Sequence, residues 1–275
     1  MRTLYVSDLD GTLLDKNVTL SDYAVENLNN LIADDVNFTV ATARTAVSAV
    51  KILSEIETKI PIILMNGVLI YDTNKKEYVN KELLDKTLVQ KIIETLHKCG
   101  QTGFMYGIKD NELRTYFEHL DRPPHREFYD ERVKKYYKNF SKVAHFSEVD
   151  DSDIIYFALL DNYERMASIY SELKKIDGLG SVMYKDIYDE NLWYIECYSK
   201  AASKYNAVKF LRENYGYDKI IGFGDNLNDI PLFDACDECY AVQNAKEELK
   251  EMATDIIDSN ENDGVVKWLI GSAKK

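Results

Sequence analysis

The chain has 275 residues, 45% of them hydrophobic and 29% charged, enough to bury one large core or two smaller ones. Its net charge of -13, from 34 basic and 47 acidic residues, argues against a nucleic-acid partner, which needs a basic face to neutralise phosphates. A small phosphorylated molecule needs only a few local cations and stays compatible with that balance.

No signal-like start and no apolar run of membrane-spanning length stands in the sequence, so no membrane partner is expected. The cysteines Cys99, Cys197, Cys236 and Cys239 are scattered, and the single Cys236-x-x-Cys239 has no second pair to complete a zinc site. Reduced thiols and a cytoplasmic location are the expectation.

In chain order, residues 3–8 read as a strand, and Ser21 caps a helix carrying Val25, Leu28, Leu31 and Ile32. Val36–Ala41 reads as a second strand, Thr45–Ile56 as a helix, and Ile62–Met65 as a third strand after Pro61. This β-α-β-α-β order predicts a parallel sheet with helical crossovers. Val68–Tyr71 and Glu77–Val79 form a hairpin, 84–98 a helix, and Phe104–Tyr106 pairs with Leu113–Phe117. The stretch Glu118–Phe146 is polar and Tyr-rich, and Pro123-Pro124 is expected to block helix there. A strand at Ile154–Leu160, a helix at Tyr163–Ile176 and a hairpin of Ser181–Tyr188 with Leu192–Cys197 complete an antiparallel, helix-backed segment. Residues 82–196 are therefore expected to be a second α+β domain, inserted between core segments 1–81 and 197–275. After it the parallel pattern resumes: a helix capped by Ser203 and closed by Gly216, a strand at Ile220–Phe223, another at Cys239–Val242, a helix near Glu247–Met252, a strand at Ile256–Ile257, and a closing helix with Trp268 and Leu269.

Chemistry-bearing residues stand beside successive parallel strands. Asp8-x-Asp10-Gly11 follows the first, Ala41-Thr42-Ala43-Arg44 the second, and Gly224-Asp225-Asn226-Leu227-Asn228-Asp229 the strand at 220–223; Lys204 opens the helix after the insertion. Strand ends on one edge of an open α/β sheet converge. Gly11 is expected to turn the chain so that both Asp8 and Asp10 reach one site. Carboxylates so gathered repel one another unless a cation sits among them. An all-oxygen set of this kind suits Mg²⁺, with Thr42 and Lys204 left to hold a phosphoryl group.

Taken together, these motifs resemble those of the haloacid-dehalogenase (HAD) superfamily of aspartate-nucleophile phosphotransferases, in particular its Cof-type, subclass IIB branch of sugar-phosphate and related phosphatases. Asp8–Leu13 matches D-x-D-G-T-L, and 41–44 matches A-T-G-R with Ala43 in place of glycine. Asn66-Gly67, Ser203-Lys204 (with Tyr205 where glycine is usual), Gly224–Asp229, Asn244-Ala245 and Asp263-Gly264-Val265 also match; Lys200 is a nearby competitor for the role of Lys204. The resemblance implies a Rossmann-like α/β core with an inserted α+β cap, acting as a monomer or small homo-oligomer. It implies a phosphatase of a small phosphorylated metabolite, with Asp8 as nucleophile and Asp10 as acid/base. Mg²⁺ would be held by Asp8, Asp225 and the backbone carbonyl of Asp10. Thr42, Lys204 and Asn228 would lie on the phosphate side, with Asp229 orienting Lys204 and the metal's waters. Arg44, Asn66 and Arg114 are candidate substrate or cap contacts, joined in the insertion by Arg122, His125 and Arg126. The tyrosines at 129, 136 and 137 are read as packing. A phosphomutase-type transfer and a non-catalytic phosphometabolite-binding protein are the alternatives.

Overall fold

The strand β1 (Thr3–Ser7) buries Leu4 and Val6 completely on one face, while Thr3 and Tyr5 on the other are half-buried. In the computed structural model, which describes residues 1–136, 139–186 and 189–272, it is followed by α1 (Asp22–Ala33). The Ser21 side chain accepts from the Ala24 N–H, satisfying one of the orphan donors of the first turn. Next come β2 (Asn37–Val40), α2 (Ala46–Ile52), β3 (Ile62–Leu64), β4 (Leu69–Asp72) and β5 (Glu77–Lys81). The third strand departs from expectation. Instead of extending the parallel sheet it pairs antiparallel with β4, in a three-stranded sheet β3-β4-β5. Its tie to the end of β2 is the isolated parallel bridge Ala41–Ile63, with Thr42 N–H donating to the Ile63 carbonyl. Pro61, just before it, has no N–H to offer a longer ladder.

The middle of the chain forms α3 (Lys86–Lys98), β6 (Phe104–Lys109), β7 (Glu112–Phe117), α4 (Pro123–Tyr136), β8 (Phe140–Lys142), β9 (Asp153–Asp161), α5 (Tyr163–Leu173), β10 (Leu179–Lys185) and β11 (Trp193–Ser199). The six strands form one sheet, order β10-β11-β9-β6-β7-β8, antiparallel except for the parallel β7–β8 pair. On one face, Ile92, Leu96, Met166 and Leu173 of α3 and α5 pack against Met105, Phe157, Ile195 and Cys197. Each such fully buried side chain contributes about 1.5–3 kcal/mol. Here the expected proline block is wrong. Pro123-Pro124 opens α4, because first-turn N–H groups have no intrahelical acceptor and proline's φ is already helical. Tyr137 and the end of the expected 181–188 strand, Ile187 and Tyr188, lie outside the described residues, as does the Tyr136 side chain; Tyr129 packs on Phe117 and Phe140.

The last stretch supplies α6 (Lys204–Tyr215), β12 (Lys219–Gly224), α7 (Ile230–Ala235), β13 (Glu238–Val242), α8 (Glu247–Lys250), β14 (Asp255–Ile257) and α9 (Gly264–Ser272). The main sheet runs β14-β13-β12-β1-β2, all parallel. The chain divides into two compact units, Met1–Asn80 with Ser203–Lys275, and Lys81–Ala202. Strand β11 runs past residue 196 to Ser199 before the second unit ends. Among the described residues, no helix is long and apolar enough to cross a membrane, and all four cysteines are free.

Candidate active site

The register of the main sheet positions the site. Ser7 of β1 stands level with Val40 of β2 and Phe223 of β12. Asp8, Ala41-Thr42 and Gly224-Asp225 therefore leave the same sheet edge together, and the Asp8 N–H still donates to the Phe223 carbonyl. The Ser203 side chain caps α6 through the Asn206 N–H, which sets Lys204 as its first residue.

Lys204 is buried, and its Nζ bridges two carboxylates, 2.5 Å from Asp8 Oδ1 and 2.6 Å from Asp229 Oδ1. The competing Lys200 is exposed, in the other unit. The second oxygen of Asp229 accepts from the N–H groups of Asp225 and Asn226, at 3.0 and 3.1 Å. Asp225 is held in turn by the Thr12 hydroxyl, 2.9 Å from its Oδ1. Asp8, Asp225 and Asp229 form a group whose ligand oxygens lie within 4.8 Å of one another.

The electrostatics follow from three carboxylates facing one ammonium. Burial pushes Asp8 up to about 8, with Lys204 opposing and Asp229 and Asp225 reinforcing the rise. Burial likewise pushes Asp225 up to about 6, against the pull of the Thr12 hydrogen bond and with a push from Asp229. Burial alone would depress the Lys204 ammonium, but Asp8 and Asp229 hold it above its usual value. A set of oxygen donors with excess negative charge, poised to lose protons to a cation, fits a hard divalent ion such as Mg²⁺.

Two expected residues are placed differently from the simplest reading of the motif. The Asp10 carboxylate turns away from this group to Arg44, which donates from Nε to Oδ2 at 2.7 Å and from Nη2 to Oδ1 at 2.6 Å. Arg44 Nη1 is tied to the Ser48 hydroxyl. Asn228 Nδ2 donates to the Asn66 side chain at 3.4 Å, with Asn66 in a left-handed conformation after β3. Thr42 is fully buried, and its Oγ1 accepts from the Arg44 N–H, leaving the hydroxyl proton free to donate. Thr12 and the Arg44–Asp10 pair escaped the sequence reading. Thr12 was visible as part of D-x-D-G-T, but nothing in one sequence couples 44 to 10.

In the second unit, the expected candidates are engaged locally. Arg114 lies 3.9 Å from Asp110 and 3.8 Å from Glu112, and Arg122 pairs with Asp161. His125 is buried and bonds the Leu160 carbonyl through Nε2, while Arg126 donates to the Leu120 carbonyl.

The family model for haloacid dehalogenase-like hydrolases matches residues 5–269. A Bacillus subtilis relative, 5-amino-6-(5-phospho-D-ribitylamino)uracil phosphatase YwtE, is 25% identical over 95% of both chains. The crystal structure of TM0651 from Thermotoga maritima superposes with a TM-score of 0.78 at 25% identity, over 98% of this chain and 97% of that one. A HAD subclass IIB sugar phosphatase shares the fold with a TM-score of 0.70 at 16% identity, over 99% of both chains. The chain belongs to the haloacid dehalogenase-like hydrolases. It is an enzyme of their Cof-type, phosphatase branch.

Proposed function

We propose that this enzyme is a Mg²⁺-dependent phosphatase that hydrolyses a small phosphorylated metabolite, a sugar phosphate or similar, through an aspartyl-phosphate on Asp8. The observation that carries the reading is Lys204 Nζ held between Asp8 and Asp229, with Asp225 completing the acidic group. Asp8, Asp225 and the Asp10 backbone carbonyl would hold Mg²⁺, which, when bound, offsets the repulsion between an anionic nucleophile and an anionic substrate. An Asp8 oxygen forms a bond to phosphorus as the ester P–O bond breaks. Asp10 gives its proton to the leaving oxygen, then takes one from the water that cleaves the acyl phosphate. Lys204 and the Thr42 hydroxyl hold the phosphoryl oxygens as charge spreads over them, and Asn228 lies beside them. Asp229 positions Lys204 through its 2.6 Å bond. The second unit serves as the cap that selects the leaving group. Free thiols and the lack of a membrane-crossing helix among the described residues fit action on a metabolite in the cytoplasm.

The test is release of phosphate from acetyl phosphate or p-nitrophenyl phosphate with and without Mg²⁺. Turnover is expected to need the metal and to vanish in Asp8→Asn. Turnover that survives that change removes Asp8 as nucleophile.

A further inference from the structure

The turn after β1 closes on one acceptor. The N–H groups of Thr12, Leu13 and Leu14 all donate to the Leu9 carbonyl, at 3.3, 3.0 and 2.9 Å. The donors of the turn are thereby satisfied within it, and the carbonyls of Gly11 and Leu14 take partners from elsewhere. Those partners come from the far end of the chain. Asn244 Nδ2 donates to the Gly11 carbonyl at 2.8 Å, across 233 residues of sequence. Asn260 Nδ2 donates to the Leu14 carbonyl at 2.8 Å, across 246 residues.

The two amides are joined. The Asn260 N–H donates to Asn244 Oδ1 at 3.1 Å, which fixes the oxygen end of Asn244 and leaves its Nδ2 to face Gly11. Both residues follow strands of the main sheet, Asn244 after β13 and Asn260 after β14. Parallel strands end together, so both stand on the edge that Asp8 and Asp225 leave. The same segments hold the backbone nearby: the Lys246 N–H donates to the Asp225 carbonyl at 2.8 Å, and Glu261 accepts from the Lys16 N–H at 2.6 Å. From the other side, the Thr12 hydroxyl donates to Asp225 Oδ1. The loop of Asp10 and the loop of Asp225 are thus fastened to one another through residues 12, 244 and 246. Asn244 itself is exposed. A hydrogen bond there adds little to stability, because water replaces it. It does fix the peptide that directly follows Asp10.

We propose that Asn244, oriented by Asn260, is a positioning residue that holds the backbone of Asp10 in place beside Asp225. Resting on the phosphatase reading above, one amide then serves two functions: proton transfer by the Asp10 side chain, and the metal contact assigned to the Asp10 carbonyl. Asn244 acts through Gly11 and not on the substrate. Its loss therefore weighs most on a reaction that needs the proton. The alkoxide of glycerol needs one to leave, whereas p-nitrophenolate leaves without it.

The experiment compares the full-length wild type with Asn244→Ala by Mg²⁺ calorimetry without substrate, and by steady-state kinetics on glycerol 3-phosphate and p-nitrophenyl phosphate. Asn244→Ala is expected to bind Mg²⁺ about tenfold more weakly. Its kcat is expected to fall about a hundredfold on glycerol 3-phosphate and no more than about tenfold on p-nitrophenyl phosphate, with KM little changed. Wild-type Mg²⁺ affinity together with equal losses on the two esters overturns the proposal, because a general loosening of the fold does not distinguish leaving groups. If Asn244→Ala does not fold, Asn260→Ala, which removes the donor to Leu14 and keeps Asn244, is read by the same two measurements and the same criteria. If the wild type hydrolyses neither ester, the phosphatase reading falls instead, and Mg²⁺ binding decides alone: weaker binding in Asn244→Ala supports the positioning role, and unchanged binding overturns it.

Discussion

Arg44 grips the Asp10 carboxylate with both arms of its guanidinium fork, while its third nitrogen is fastened to Ser48. The Asp10 side chain is 46% exposed, so the pair contributes no more than about 1 kcal/mol to stability. In the proposed mechanism its value is orientation: a two-point hold fixes the plane of the carboxylate proposed to reach the leaving oxygen. Arg44→Lys keeps the charge and loses the fork. We expect its unfolding free energy to stay within about 1 kcal/mol of the wild type and its kcat to fall about tenfold to a hundredfold. Asp10→Asn should fall about 10²–10⁴-fold. Full activity in Arg44→Lys would show that Asp10 needs no such hold.

Metal binding should be proton-linked. With Asp8 raised to about 8 and Asp225 to about 6, the metal-free site holds protons at neutral pH that an unfolded chain would have released near pH 4. A divalent cation must displace them. Apparent Mg²⁺ affinity is therefore expected to rise with pH between 6 and 8, by up to about tenfold per unit for each proton released. The sign for stability is opposite in the metal-free protein. The native state binds more protons than the unfolded one across this window, so stability drops as pH rises towards 8. Calorimetry in buffers of different ionisation enthalpy reads the proton release; affinity independent of pH contradicts the assignment.

Lys204 is the cation that the buried carboxylates share. Its replacement by methionine removes the ammonium and keeps most of the volume, leaving Asp8 and Asp229 uncompensated. Breaking a buried pair in this way costs about 3–5 kcal/mol. The loss should be largest at about pH 9.5 without Mg²⁺, where Asp8 beside Lys204 has lost its proton, and smaller near pH 5, where Asp8 carries one. Urea unfolding at the two pH values measures it. A loss that is the same at both would mean that Lys204 does not hold Asp8 in its charged form.

What the sequence disclosed about this site depended on where strands end. Asp8, Thr42 and Asp225 were legible because each follows a short apolar run, and a parallel sheet turns three separate strand ends into one edge. Lys204 was legible through its capping serine. The Arg44–Asp10 fork was not, because it depends on side-chain direction across two loops. Helix α4 was hidden because proline reads as a helix breaker unless its place in the first turn is known. β3 was misjudged because periodicity identifies a strand without naming its partner. The tyrosines of β10 and β11 are widely spaced along the chain and form one face only once the antiparallel register is set.

Two glycines with positive φ at the site, Gly67 and Gly11, and one in the second unit, Gly100, make graded tests of local backbone packing. At Gly67, φ is +100° and an added Cβ would lie 2.1 Å from the Ser203 carbonyl oxygen, a backbone atom just before Lys204. Neither neighbour can yield without moving β3's exit or the start of α6, so Gly67→Ala is expected to cost more than about 3 kcal/mol. At Gly11, φ is +81° and the Cβ would lie 2.5 Å from Asp225 Oδ2, a side-chain atom. That carboxylate can swing aside, but only by leaving the Thr12 hydroxyl and the acidic group. Gly11→Ala should therefore lose activity and Mg²⁺ affinity, about a hundredfold in kcat/KM, more than it loses stability. At Gly100, φ is +60° with nothing within 4 Å of the added Cβ, so Gly100→Ala should cost only the left-handed penalty of about 1–2 kcal/mol and leave turnover alone. Thermal unfolding and steady-state kinetics on the three variants separate the cases, and a Gly11→Ala enzyme with wild-type Mg²⁺ response would show that Asp225 does not need its present position.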